Sequence, residues 1–317
     1  MQPATKKRYV VLDALRGFAI LGICLANFPE FSLWTFAPAE AHTAGDNILQ
    51  TILTFFVDGK FYTLFSMLFG MGFAIQLENA GGHLKTFYRR MSVLFFLGLC
   101  HLMFIWSGDI LMLYAAMGML LPLFRKLPTR KLLAAAGVFL ALPVIMDAAF
   151  GRSLSDPIEA AQWRICEAYG ITEANFARWL RDARSYREVF QFLQQGAVER
   201  MWEFVVSHRY FKVLGLFLIG YAAGRDKTFA DLEAHRPLLR NIFLYGLVIG
   251  LPVGLLYTRS VMGGHPWGTI AHDILYLFGV YLFQIIFSSL WMRRFRFGPV
   301  EWIWRMVIYG KILPIRL

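Results

Sequence analysis

The sequence predicts an all-α, polytopic transmembrane helix bundle of about eight spans, and three features predict it. The 317 residues are 57% hydrophobic and only 17% charged, against roughly 25% charged in a typical soluble domain. Apolar runs of about 20 residues, long enough to cross a bilayer, recur along the chain. Lysine and arginine, which outnumber the acids enough to leave a net charge of +11, collect in alternate loops. Mean hydropathy is +0.50. The 16% aromatic content and the 27 aperiodic glycines argue against disorder and collagen-like repeats. A nucleic-acid partner would need the basic residues on one soluble face, and they are instead distributed among loops. The cysteines, Cys24, Cys100 and Cys166, have neither paired nor metal-like spacing, so no structural metal and no redox centre is expected.

The predicted spans run Val10 to Phe28, Ile48 to Leu77, Met91 to Ser107, Ile110 to Phe124, Leu132 to Phe150, Tyr210 to Gly224, Leu238 to Tyr257 and Thr269 to Met292. Ser107-Gly108-Asp109 is a tight turn between the third and fourth, because glycine and aspartate suit turn geometry. Basic loops set the orientation. Lys6, Lys7 and Arg8 precede the first span. Lys85, Arg89 and Arg90 follow the second, Arg125, Lys126, Arg130 and Lys131 the fourth, and Arg225, Lys227, Arg236 and Arg240 the sixth. Arg293, Arg294, Arg296, Arg305, Lys311 and Arg316 follow the eighth. Pro29 to Asn47 carries no lysine or arginine, and Thr258 to Gly268 only Arg259. With this count every basic loop lies on one side, which places both termini in the cytoplasm. The expected location is the cytoplasmic (inner) membrane of a bacterium. The basic, aromatic tail FGPVEWIWR then lies on the anionic inner leaflet. Lys6 to Arg8 before an apolar run resembles a signal peptide, but Ala37-Pro38-Ala39 lies too far beyond it for cleavage, so the first span is retained.

Three parts follow from this path. Residues 1–150 form an N-terminal five-helix membrane part, and 210–317 a C-terminal three-helix part with a cytoplasmic tail. Between them, 151–209 is a long extracytoplasmic segment with nearly balanced charge, in which Trp163, Ile165, Phe176, Trp179 and Leu180 alternate with charged residues. That pattern predicts amphipathic helices at the outer interface, either as a cap packed on the bundle or as a lid over a substrate.

Ionisable groups inside spans cost about 2.5 to 3.5 kcal/mol each on insertion scales and are functional candidates for that reason. Asp13, Arg16, Cys24 and Asn27 share one stripe of the first helix, with Arg16 about 16 Å below Asn27 at 1.5 Å per residue. Arg16, near the cytoplasmic mouth, suits a phosphate or carboxylate; alternatively Asp13 and Arg16 simply pair at i, i+3 and anchor the helix end. Asp58 and Lys60 interrupt the second span, where Lys60 can pair with an acid or reach an interface. His101 in the third span can exchange a proton near neutral pH, and Asp109 at the following turn can orient it or bind a substrate hydroxyl. The alternative for His101 is a hydrogen-bonded packing residue. His265, His272 and Asp273 have poor spacing for a metal. Gly70 and Gly72, Gly220 and Gly224, and Gly246, Gly250 and Gly254 predict close helix packing.

Four runs resemble the bacterial YeiB-like family of polytopic membrane proteins, a domain of unknown function. They are LDALRGFAILGICLANFPEF from Leu12, GKFYTLFSMLFGMGFA from Gly59, RRMSVLFFLGLCHLMFIWSGDILMLYAAMG from Arg89, and WMRRFRFGPVEWIWRMVIYGK from Trp291. The first helix is also similar to that of the transmembrane acyltransferase group, which includes sugar O-acetylases and the lysosomal heparan glucosaminide acetyltransferase. That resemblance implies acyl-CoA as a cytosolic donor, with no tightly bound cofactor, and an extracytoplasmic small-molecule acceptor. It places Arg16 near the CoA phosphates. The O-acetylases have a histidine where this chain has Asn27, so the resemblance needs another base: His101 with Asp109, or His42 in the first outer loop. A second departure lies near the C-terminus. YeiB-like relatives carry a GRMALTNY motif and about two further helices before the last span, whereas here AHDILYLFG runs almost directly into VYLFQIIFSSLW. Two other functions stay open: a transporter component whose path for a small polar solute is lined by Asp58, Lys60, His101 and Asp109, and a non-catalytic scaffold.

Overall fold

The computed structural model describes residues 9–31, 51–57, 59–150, 155–228 and 235–242, with scattered positions beyond. Among these residues every regular element is helical. The elements are α1 (Val10–Phe31), α2 (Lys60–Asn79), α3 (Lys85–Phe104), α4 (Leu111–Leu120, continued by a 3-10 turn Leu121–Phe124), α5 (Thr129–Phe150), α6 (Asp156–Tyr169), α7 (Glu173–Asp182), α8 (Tyr186–Val206) and α9 (Arg209–Arg225). Half of the predicted seventh span and all of the eighth, with His265 and His272, lie outside the described residues, as do Asp58 and His42.

Among the described residues, three helices are long and apolar enough to cross a membrane: Thr51–Asn79 taken as a whole, α3 and α5. Their surfaces are inverted relative to a water-soluble bundle. Phe96 on α3 is 68% exposed and Val144 on α5 71%, and large apolar side chains exposed in this way on helices of this length suit lipid better than water. Pro29 in α1 and Pro143 in α5 each remove one helical hydrogen bond, to Leu25 and Phe139 respectively.

The second predicted span departs from a single straight helix. Helical residues 51–56 end at a turn in which Gly59 has φ +74°, and α2 begins afresh at Lys60. Glycine tolerates this left-handed conformation without a Cβ clash. Lys60, freed from the helix interior, donates to the Thr54 carbonyl at 3.1 Å and lies over the Phe55 ring.

The chain divides into two compact units, residues 1–74 with 220–277 and residues 75–219 with 278–317. In the first, Phe18 of α1 packs on Phe61 of α2 with centroids 5.1 Å apart, and Phe73 on Tyr221 at 4.9 Å. Gly220 and Gly224 bring α9 against α2, as their spacing predicts. A Cβ at Gly220 would overlap the Met67 carbonyl, and one at Gly224 would lie 2.8 Å from the Met71 Cα.

In the second unit Tyr114 of α4 meets Phe217 edge-on at 5.1 Å, above a floor of fully buried Leu121, Leu132, Val213 and Leu218. The α6 to α8 segment has its own small core of Cys166, Ile171 and Phe192, flanked by Phe176, Trp179 and Leu180. Burial pushes the Cys166 thiol above its ordinary value, and the nearby Glu199 adds to this, so the thiol stays protonated. Local signals fix the three helices. α6 ends in a Schellman motif, with Gly170 at φ +73° and Ile171 N–H bonded to the Cys166 carbonyl at 2.8 Å. α7 and α8 each begin with a capping box, Thr172 with Asn175 and Ser185 with Glu188.

Two measurements check this packing. Gly220→Ala forces a methyl onto backbone that cannot yield, so a loss of about 2 kcal/mol is expected, read as a lower thermal midpoint in detergent. The Arg184 and Ser185 N–H groups bonded to Glu188 hold its carboxyl below the usual range. A depressed folded pKa contributes stability above the unfolded value, which is lost as pH falls through the folded one. The protection factor of the amides at the start of α8, taken relative to intrinsic exchange at each pH, therefore falls on acidification below the ordinary glutamate range in the wild type, and Glu188→Gln removes that fall.

Candidate functional site

The site begins with a close approach of two helices. Gly98 on α3 has no side chain where the first turn of α4 passes; a Cβ there would overlap the Met112 backbone nitrogen. His101 lies three residues further along α3, on the same face by helical spacing, and therefore faces the start of α4. Its carbonyl accepts from both Ile105 and Trp106 N–H at 2.9 Å, which closes α3 into the turn.

Asp109 ends that turn. One carboxylate oxygen accepts Met112 N–H at 2.9 Å, at the positive end of the α4 dipole. The other lies 3.1 Å from His101 Nδ1. The Asp109 side chain is 1% exposed and that of His101 30% exposed. An ionised carboxylate only accepts, so the imidazole proton belongs on Nδ1 and Nε2 keeps its lone pair. No hydrogen bond to Nε2 is formed among the described residues. The Trp106 ring stands edge-on to the imidazole, with centroids 6.1 Å apart. A buried acid that orients a histidine while leaving the outer nitrogen available is the arrangement of a general base.

The other candidates stand as follows. Arg16 Nη1 bonds Asp13 Oδ1 at 3.1 Å, the i, i+3 pair that the spacing allows, and a Cβ at Gly72 would lie 3.6 Å from Arg16 Nη2. Both side chains are more than a third exposed, so the pair itself adds little stability, and the guanidinium keeps donors for another anion. Asn27 donates its amide N–H to the Ile23 carbonyl at 2.8 Å. Lys60 bonds backbone in its own unit, as above. Among the described residues no three His, Cys, Asp or Glu side chains stand close enough to share a metal.

Sequence reading passed over one constellation. His208, between α8 and α9, is buried with φ +46°. Its Nδ1 lies 3.1 Å from the Tyr210 hydroxyl, and its Nε2 3.1 Å from Asp147 Oδ1, near enough for charge pairing but not aligned as a hydrogen bond. An aspartate in the last apolar turn of α5 was the available signal. His208 itself looked like an ordinary loop residue.

Removing the buried carboxylate strands both Met112 N–H and the His101 ring. Asp109→Ala is expected to lower stability by about 2 kcal/mol, measured by thermal unfolding in detergent, and His101→Ala also destabilises, because it leaves one oxygen of the buried carboxylate without its partner.

A family described as "Protein of unknown function (DUF418)" matches residues 267–311. Three relatives align over almost the whole chain. The uncharacterized protein YxaH of Bacillus subtilis is 27% identical, covering 99% of this chain and 98% of its own length. An uncharacterized 39.9 kDa protein from the amylase 3' region of Bacillus acidopullulyticus is 30% identical, covering 99% and 97%. The uncharacterized protein YeiB of Escherichia coli is 27% identical, covering 95% and 96%. These alignments span 351 to 396 positions, more than the 317 residues present here, so the relatives hold internal insertions that this chain lacks. No solved structure matches the chain. With end-to-end similarity to these relatives and apolar helices of membrane-crossing length, the chain belongs to the YeiB-like, DUF418 family.

Proposed function

We propose that the protein is a multi-pass enzyme of the bacterial cytoplasmic membrane that moves an acyl group from cytosolic acyl-CoA to a hydroxyl on an extracytoplasmic small molecule. The observation that carries this reading is the His101–Asp109 pair, with its acid buried, its imidazole oriented and Nε2 available. In the proposed topology of about eight spans, both termini are cytoplasmic and the basic tail rests on the anionic inner leaflet. α1 and α3 then both run outward, with Arg16 near the cytoplasmic end of α1 and His101 near the far end of α3.

In this reading each residue has one role. His101 Nε2 takes the acceptor hydroxyl proton as the oxygen attacks the thioester carbonyl. The tetrahedral intermediate expels the CoA thiolate, which leaves with the proton that His101 returns. Asp109 stabilises the imidazolium between these steps without itself being protonated. Arg16, whose guanidinium has donors beyond the one bonded to Asp13, holds CoA phosphate. Asn27 has a side-chain oxygen that the Ile23 contact does not use, suited to an acceptor hydroxyl. Asp58 and Lys60 in the second span are further candidates for substrate contact.

Protein in lipid nanodiscs is expected to bind acyl-CoA and to transfer its acyl group to an added hydroxyl acceptor. His101→Gln should lower turnover by about 10² to 10⁴-fold, the usual worth of a general base, while acyl-CoA binding persists. Arg16→Ala should do the reverse, weakening binding first. If wild-type protein in nanodiscs binds no acyl-CoA, the enzyme reading falls. Flux of a polar solute in proteoliposomes without any acyl donor would put a transporter in its place.

A further inference from the structure

The last carbonyls of a helix have no partner within it and must find one elsewhere. At the end of α3 two such groups, on Phe104 and on Ser107 of the following turn, are both met by α8. Tyr186 at the start of α8 donates its hydroxyl to the Phe104 carbonyl at 2.7 Å, and Phe190 stacks on the Phe104 ring with centroids 5.5 Å apart and planes 12° from parallel. Arg200 donates Nε to the Ser107 carbonyl at 2.8 Å. Gly196 lets the helix come this near, since a Cβ there would lie 2.7 Å from the Ser107 Cβ. The guanidinium is held in turn by Glu203, three residues on, and by the Phe204 ring beneath it.

These contacts bracket the residues that join His101 to Asp109. His101 lies one turn before Phe104, and Asp109 two residues after Ser107. The turn between them is anchored to the rest of the chain from two sides, by α4 through Met112 N–H and by α8 through Arg200 and Tyr186. A carboxylate displaced by an ångström would no longer bond the imidazole, so the position of the Ser107 carbonyl decides whether the acid and the ring meet.

We propose that Arg200 is a positioning residue for the His101–Asp109 pair, and that the α6 to α8 segment thereby sets the imidazole tautomer at the site instead of only covering the helices. The proposal rests on the reading of His101 as the base, but its first readout does not depend on turnover. The action is indirect: Arg200 fixes Ser107, Ser107 fixes Asp109, and Asp109 holds the proton on His101 Nδ1.

The test uses the full chain in nanodiscs with ¹⁵N-labelled histidine, under alkaline conditions that keep imidazole neutral. The His101 signals are assigned by their loss in His101→Gln. Wild-type His101 is expected as the Nδ1–H tautomer. Arg200→Met should shift it toward the Nε2–H form that free imidazole prefers, and Arg200→Lys, which can still donate to the Ser107 carbonyl, should restore the wild-type pattern. In an acyl-transfer assay Arg200→Met should lower kcat by about 10-fold, the lower end of outer-shell effects, with KM unchanged. Tyr186→Phe is the second variant, removing one oxygen and predicted to shift the tautomer in the same direction if Arg200→Met does not fold. Wild-type ring signals in both variants, or in whichever one folds, would overturn the positioning role. Absence of acyl transfer by the wild type would instead count against the enzyme reading and leave the tautomer result to decide this one.

Discussion

A carboxylate removed from water must have its lone pairs filled, and Asp109 is the group on which the arrangement around it depends. An isolated buried carboxylate costs several kcal/mol. Here one oxygen takes Met112 N–H and the other the His101 ring, and charge-assisted bonds of this kind return about 1.5 to 3 kcal/mol each. The first bond also closes the start of α4, so the same side chain ends a turn, begins a helix and orients an imidazole. Gly98 makes this possible by letting the α4 backbone lie against α3. A larger residue there would part the two helices and leave the acid without its partners.

The surrounding bundle solves a different problem. In lipid there is little hydrophobic drive to bring helices together, so close fit between small residues carries more of the association. Gly220 and Gly224 against α2, and Gly215 against the Ala136 carbonyl and Leu140, are among the places where the absence of a side chain lets neighbours come close. Other large apolar side chains, Phe96 and Phe104 on α3 and Val138 and Val144 on α5, are exposed instead. The α6 to α8 segment obeys the ordinary rules instead: a small aromatic core, capping boxes and a glycine stop. One chain thus combines two folding regimes, and the contacts of Tyr186 and Arg200 join them beside the His101–Asp109 pair.

What the sequence made legible follows the strength of each local signal. Long apolar runs identified α1, α3 and α5 to within a few residues, because a membrane span leaves little choice of structure. The i, i+3 spacing of Asp13 and Arg16 and the turn residues around Gly108 led directly to contacts that form. The break at Gly59 was less visible, since a single glycine within an apolar run reads equally well as a packing residue. Lys60 reads as pairing with an acid or reaching an interface, and its bond to the Thr54 carbonyl across that break has no signal in the pattern. Arg200 could not be found from pattern at all, and of the His208 pair only Asp147, an acid at the end of an apolar helix, was visible. Arg200 matters for a carbonyl 93 residues away in the chain, and His208 for an aspartate on another helix, and neither distance leaves a trace in local periodicity.

The central claim is that His101 and Asp109 act as one unit, and a double-mutant cycle measures that directly. His101→Ala, Asp109→Ala and the double variant, unfolded in the same detergent, yield a coupling energy. Residues in contact within one hydrogen-bonded network couple by about 0.5 to 3 kcal/mol, and a favourable value in the upper half of that range is the result predicted here. Additive losses, with a coupling indistinguishable from zero, would contradict the account.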